Sequence, residues 1–177
     1  MSEITIEITN YCPYDCSFCS SNASPTGKHL EFEKIKKFLE ENLVKANAIV
    51  FERINISGGE PLAHPDFYKI LQLCNKLSNN VVVYTNAIKT IAYNTAVIKE
   101  LNVKANVCLI PASDVYIPKG SFKIHLLKFI SQGRGKSIQE VNMSCSSNLC
   151  GSEKCESCTN LTLKANGEIV PCPCKKD

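Results

Sequence analysis

Isoleucines at positions 4, 6 and 8 alternate with Thr5, Glu7 and Thr9, and this period of two predicts a strand over residues 3 to 9. Apolar positions then change to helical spacing. Leu30, Ile35, Phe38, Leu39, Leu43 and Val44 lie opposite a Lys/Glu face and predict a helix over 30 to 45. The run AIVFERINIS predicts a second strand over 48 to 57. Phe67, Ile70, Leu71, Cys74 and Leu77 share one side of a helix predicted over 64 to 77, with Pro65 suited to its first turn. VVVYTN predicts a strand over 81 to 86, followed by a weaker helix over 89 to 101 carrying Ile91, Ile98 and Leu101. Further strands are predicted over 103 to 111 and 123 to 131. Regular alternation of β-branched strands with helices predicts parallel pairing, hence an α/β barrel or open α/β sheet with ligands at the carboxyl ends of the strands.

The end of the chain reads differently. LTLKANGEIV, residues 161 to 170, alternates on either side of Ala165, Asn166 and Gly167, which predicts a hairpin with an Asn-Gly turn. Its flanks are rich in cysteine, so residues 1–138 are expected to form an α/β core and 139–177 a separate cysteine-rich segment.

Composition narrows the function classes. With 177 residues and 44% apolar content the chain supports one domain with a genuine core. The net charge of +3 is too balanced to define a nucleic-acid or membrane surface. Nothing resembles a signal peptide or a membrane span, and a soluble cytoplasmic protein is expected. Eleven cysteines are then expected to be metal ligands rather than disulfides. They fall into two groups, Cys12, Cys16 and Cys19 near one end and Cys145, Cys150, Cys155, Cys158, Cys172 and Cys174 near the other. Cys74 and Cys108 sit on apolar faces and are expected to be buried thiols.

The first group, TNYCPYDCSFC, is spaced C-x3-C-x2-C directly after the first strand. Three thiolates from one loop leave a zinc knuckle or an ordinary four-iron cluster one ligand short, and no cysteine or histidine nearby supplies a fourth. An open iron would make the site reactive. SGGEP, residues 57 to 61, follows the second strand; its glycines permit close backbone approach and Glu60 offers a carboxylate to an ammonium group.

C-x3-C-x2-C after a first strand, with Phe18 between the second and third cysteines and GGEP after the second strand, resembles the radical S-adenosylmethionine superfamily. The resemblance implies an abbreviated partial (β/α) barrel. It further implies that Cys12, Cys16 and Cys19 hold a 4Fe-4S cluster whose open iron binds S-adenosylmethionine, which is reductively cleaved to a 5′-deoxyadenosyl radical that takes hydrogen from a substrate. Gly58, Gly59 and Glu60 would bind the methionine amino group and Phe18 would lie near the adenine. Asn86 resembles the asparagine of a TNG-like segment, although Ala87 replaces the glycine. Ser113 or Asp114, after the fourth strand, is a candidate for the ribose hydroxyls or the methionine carboxylate, and Arg134 resembles an arginine that follows the last barrel strand in several relatives.

Cys155, Gly167 and Cys172 resemble the start of the auxiliary-cluster segment called SPASM, or its shorter relative called twitch. That implies a second 4Fe-4S cluster held by four of the six C-terminal cysteines, with structural zinc as the alternative. The resemblance leans toward a peptide, protein or cofactor-precursor substrate and requires a low-potential electron donor. RNA modification is the alternative enzyme reading, and a non-catalytic iron-sulfur electron-transfer protein the alternative outside enzymes. The stretch between Cys19 and Cys145 is short for a full superfamily barrel, so part of the wall is expected to be missing.

Overall fold

The computed structural model describes residues 3–17, 19, 21–46, 50–85, 106–109 and 160–171. The helix predicted over 89 to 101 and the strand predicted over 123 to 131 lie outside them.

The described elements are β1 (Glu3–Glu7), α1 (Phe32–Ala46), β2 (Arg53–Ser57), a 3-10 turn (Pro61–Ala63), α2 (Phe67–Leu77), β3 (Val81–Thr85), β4 (Asn106–Leu109), β5 (Leu161–Leu163) and β6 (Ile169–Pro171). They build one α/β sheet in the order β4-β3-β2-β1-β5-β6. Every neighbouring pair is parallel except β5 and β6, which form the predicted hairpin. That hairpin is continuous with the core sheet, since Ile4, Thr5 and Ile6 face Leu161, Thr162 and Leu163 in register.

The period of two in each strand divides the sheet into two unlike faces. Ile4, Ile6, Ile54, Ile56, Val81, Val83 and Leu163 join Ile35, Phe38, Leu39 and Leu43 of α1 and Phe67, Ile70, Leu71 and Cys74 of α2 in one apolar core. Val44 does not belong to that stripe and is 81% exposed. Successive helical residues are about 100° apart, so with Leu43 buried its neighbour turns toward solvent.

The opposite face is polar. Asn55 donates from Nδ2 to Glu3 Oε1 at 2.8 Å and to Thr5 Oγ1 at 3.2 Å. Arg53 donates from Nε to Asn55 Oδ1 and from Nη2 to the Tyr84 hydroxyl, each at 3.0 Å. A buried network of this kind is stable only when its members satisfy one another. The exception is the Thr162 hydroxyl, which has no hydrogen-bond partner among the described residues.

Pro65 lies before α2 rather than in its first turn. The Pro61–Ala63 turn ends with the His64 N–H donating to the Pro61 carbonyl, and Asp66 then precedes α2, its carbonyl accepting the Ile70 N–H. His64 accepts the Asp66 N–H at Nδ1 and so donates from Nε2 to the Leu30 carbonyl at 2.9 Å. Both ring nitrogens are thereby used by the fold.

Candidate functional site

The carboxyl ends of β1, β2 and β3 lie on one edge of the sheet because the strands are parallel neighbours. The β1–β2 ladder continues past both strands. Ile8 N–H donates to the Ser57 carbonyl at 3.0 Å, Gly59 N–H to Thr9 at 2.7 Å and Glu60 N–H to Tyr11 at 2.9 Å. Cys12 is the next residue, so the start of the cysteine loop and the GGE turn are fixed side by side.

The same segment is tied on its other side. Cys12 N–H donates to the Ser24 carbonyl at 3.0 Å, Ser24 N–H to Asn10 at 3.1 Å and Asn10 N–H to Lys28 at 3.0 Å. Thr9 Oγ1 bridges the Lys28 carbonyl, the Tyr11 N–H and His29 Nδ1. His29 also meets the rings of Tyr11 and His64, and partial burial with the nearby His64 holds its pKa below the usual histidine value. These bonds close residues 12 to 23 into a loop with a rigid base.

The two glycines of SGGEP are required at that base. A Cβ on Gly58 would stand 2.3 Å from the Thr9 carbonyl oxygen, and one on Gly59 would stand 2.3 Å from that of Tyr11. Gly58 also takes φ +146°, outside the range that suits a side chain. The close approach the glycines allow is to the chain's own backbone.

Cys12 is buried against Ala23, with Tyr14 and Cys19 packed alongside. Burial pushes its thiol pKa up, the Tyr14 backbone N–H works against this, and the charges of Glu60, Cys16 and Cys19 add to the rise. Cys12 thus feels the charges of Glu60 and of both other loop cysteines. Cys19 Sγ lies 3.4 Å from Ser21 Oγ, which donates to the Gly58 carbonyl at 3.3 Å and so links the cysteine loop to the GGE turn.

Glu60 is 2% exposed, not solvated. Its Oε1 accepts the Leu62 N–H at 3.0 Å, capping the 3-10 turn, and the Thr85 hydroxyl at 2.7 Å from the end of β3. The residues that tie the site together are not visible as site residues in the sequence: Thr85 ends a β-branched strand, Thr9 ends the first predicted strand, and Ser21 and Ser24 read as loop polarity. Phe18, Asn86, Ser113, Asp114, Arg134 and the cysteines at 145, 150, 155, 158, 172 and 174 lie outside the described residues. Cys74 is fully buried in the apolar core, which pushes its pKa up to about 12.

Among the described residues no three His, Cys, Asp or Glu side chains converge on a single ion position. A cubane cluster asks for something else, because each cysteine binds a different iron. Three thiols on one loop, with Cys12 buried and subject to the charges of the other two and of Glu60, fit a group that brings several positive centres. In metal-free protein, iodoacetamide near pH 8 is expected to modify Cys16 and Cys19 first, Cys12 more slowly and Cys74 only on unfolding. Peptide mass spectrometry over time checks the order, and a Cys12 as fast as Cys16 would contradict the buried site.

Residues 6–105 match the family described as the Radical SAM superfamily. This is more than half of the 177-residue chain, which therefore belongs to that family. PqqA peptide cyclase of Bradyrhizobium diazoefficiens is 33% identical over 87 residues, 48% of this chain and 21% of that protein. The 7,8-dihydro-6-hydroxymethylpterin dimethyltransferase of Methanocaldococcus jannaschii is 32% identical over 87 residues, 48% of this chain and 17% of that protein. The chain thus matches about a fifth of the length of these curated relatives. The crystal structure of BtrN in complex with AdoMet and 2-DOIA is similar in fold, with a TM-score of 0.54 at 16% identity over 98% of this chain and 73% of that one. The family and this neighbour are consistent with the partial barrel expected from the sequence. Among the described residues no helix is long and apolar enough to cross a membrane.

Proposed function

We propose that the chain is a radical S-adenosylmethionine enzyme in which Cys12, Cys16 and Cys19 hold a 4Fe-4S cluster and the Gly58–Glu60 turn receives the amino group of S-adenosylmethionine. The observation that supports this best is the backbone ladder that fixes the start of the three-cysteine loop beside the turn carrying the buried Glu60, at the shared carboxyl edge of β1, β2 and β3. When bound, the cluster and cofactor supply one-electron cleavage of a carbon-sulfur bond, with the electron drawn from an external low-potential donor.

The chain's own work is to hold and orient. The ladder from Ile8 to Glu60 sets the spacing of the cysteine loop against the turn, and burial of Cys12 keeps water from one ligand. Glu60 presents a carboxylate whose plane is set by the Leu62 N–H and Thr85. The substrate is a peptide, a protein side chain or a cofactor precursor; one curated relative is named for a peptide and the other for a pterin. A second metal centre on cysteines between 145 and 174 completes the reading.

Anaerobic reconstitution, electron paramagnetic resonance with and without S-adenosylmethionine, and chromatography for 5′-deoxyadenosine test it. The cluster spectrum is expected to change on addition of the cofactor. Glu60→Gln keeps an oxygen for Leu62 and Thr85 but loses the charge, and a charge-assisted hydrogen bond is worth about 1.5–3 kcal/mol. Binding should therefore weaken roughly ten- to hundredfold with iron content unchanged. A cluster-replete wild-type protein that forms no 5′-deoxyadenosine would favour the electron-transfer alternative.

A further inference from the structure

We infer that Thr85 is a positioning residue for Glu60, fixing the carboxylate at the angle from which it meets the amino group of S-adenosylmethionine. The inference rests on the function proposed above. The Thr85 hydroxyl donates to Glu60 Oε1 at 2.7 Å, and both residues are 2% exposed. A hydroxyl-to-carboxylate distance at this short end marks a charge-assisted bond. The bond spans two strands: Glu60 follows β2 and Thr85 ends β3, which run parallel in register from Ile54 and Val81.

The Leu62 N–H shares the same oxygen at 3.0 Å, so Oε1 is used by the fold from two directions. Two donors on one oxygen leave the carboxylate little freedom to rotate, and a carboxylate that cannot rotate presents its charge in one direction. Local geometry alone gives only the first of these donors, because Leu62 is two residues from Glu60 and swings with the turn. Thr85 ties the turn to a neighbouring strand that is packed on the core through Val81 and Val83. A side chain that only filled space at this position would need no hydroxyl, and valine would match its shape.

Thr85→Val and Thr85→Ser separate the two roles in the reconstituted holoprotein. The readouts are iron content, thermal melting by circular dichroism, and the S-adenosylmethionine concentration that half-converts the paramagnetic spectrum of the reduced cluster. Thr85→Val is expected to retain iron and to need on the order of tenfold more cofactor, with Thr85→Ser restoring the wild-type titration. The double variant Glu60→Gln/Thr85→Val should then be no weaker than Glu60→Gln alone, since the threonine acts through the charge that Gln removes.

A wild-type titration in Thr85→Val, or strict additivity in the double variant, would overturn the inference while leaving the proposed function standing. So would loss of iron or of melting temperature in Thr85→Val that Thr85→Ser shares, which would assign the residue to the fold. A wild-type cluster whose spectrum ignores the cofactor would instead overturn the proposed function, and the inference with it.

Discussion

Alanine at Cys12, Cys16 and Cys19 together is expected to lower 5′-deoxyadenosine formation by at least about a thousandfold, the scale seen when groups that act as a unit are removed. The three thiols lie on one loop tied at both sides of its base, and Cys74, sealed in the core, cannot substitute for them. The triple variant also isolates the C-terminal cysteines. Retention of about four irons per chain, as a single cubane requires, is the expected result of metal analysis on the reconstituted variant. Zinc in place of iron would make the second site a structural clip. No metal at all, with the C-terminal thiols freely alkylated, would remove it.

Gly59→Ala is expected to be the most damaging small change in the described fold. Its new methyl would meet the Tyr11 carbonyl oxygen at 2.3 Å and the Ala23 side chain at 2.8 Å, so the turn and the cysteine loop must separate. Separation breaks the 2.7 Å and 2.9 Å bonds from Gly59 to Thr9 and from Glu60 to Tyr11. Overpacking plus lost buried hydrogen bonds costs roughly 2–4 kcal/mol, or about 4–16 °C in melting temperature for a chain of this length. Gly167→Ala is the control. Gly167 has φ +88° but nothing within 4 Å of its missing Cβ, so only backbone strain of about 1–2 kcal/mol applies. Calorimetry or circular dichroism on both variants checks the order, and a Gly59→Ala that melts with wild type would show that the two segments are not in contact.

The elements most legible in the sequence are those with local causes. Ile4, Ile6 and Ile8 announce β1, Phe67, Ile70, Leu71 and Cys74 announce the buried side of α2, and Asn166-Gly167 announces the hairpin turn. The cysteine loop is legible because its spacing is local too. What surrounds it is not, because register between distant strands decides it. Thr85 reaches Glu60 across 25 positions, and Asn55 reaches Glu3 across 52. Gly58 and Gly59 announce a close approach without saying what approaches, and here it is the backbone of Thr9 and Tyr11. The polar face of the sheet is hidden for a similar reason, since RINIS reads as an ordinary alternation until Arg53 and Asn55 meet Tyr84 and Glu3.

Placement of β5 beside β1 has a consequence for how the chain matures. β1 lies between β2 and β5 in the sheet, and β5 is synthesised long after β2. Until then β1 can pair with β2 alone, leaving a row of amide and carbonyl groups open along Ile4 to Ile6. Contacts at such sequence separation form late and slowly. Between the synthesis of β2 and that of β5 the nascent chain therefore carries an open strand edge next to its cysteine loop, the kind of edge that invites misassembly.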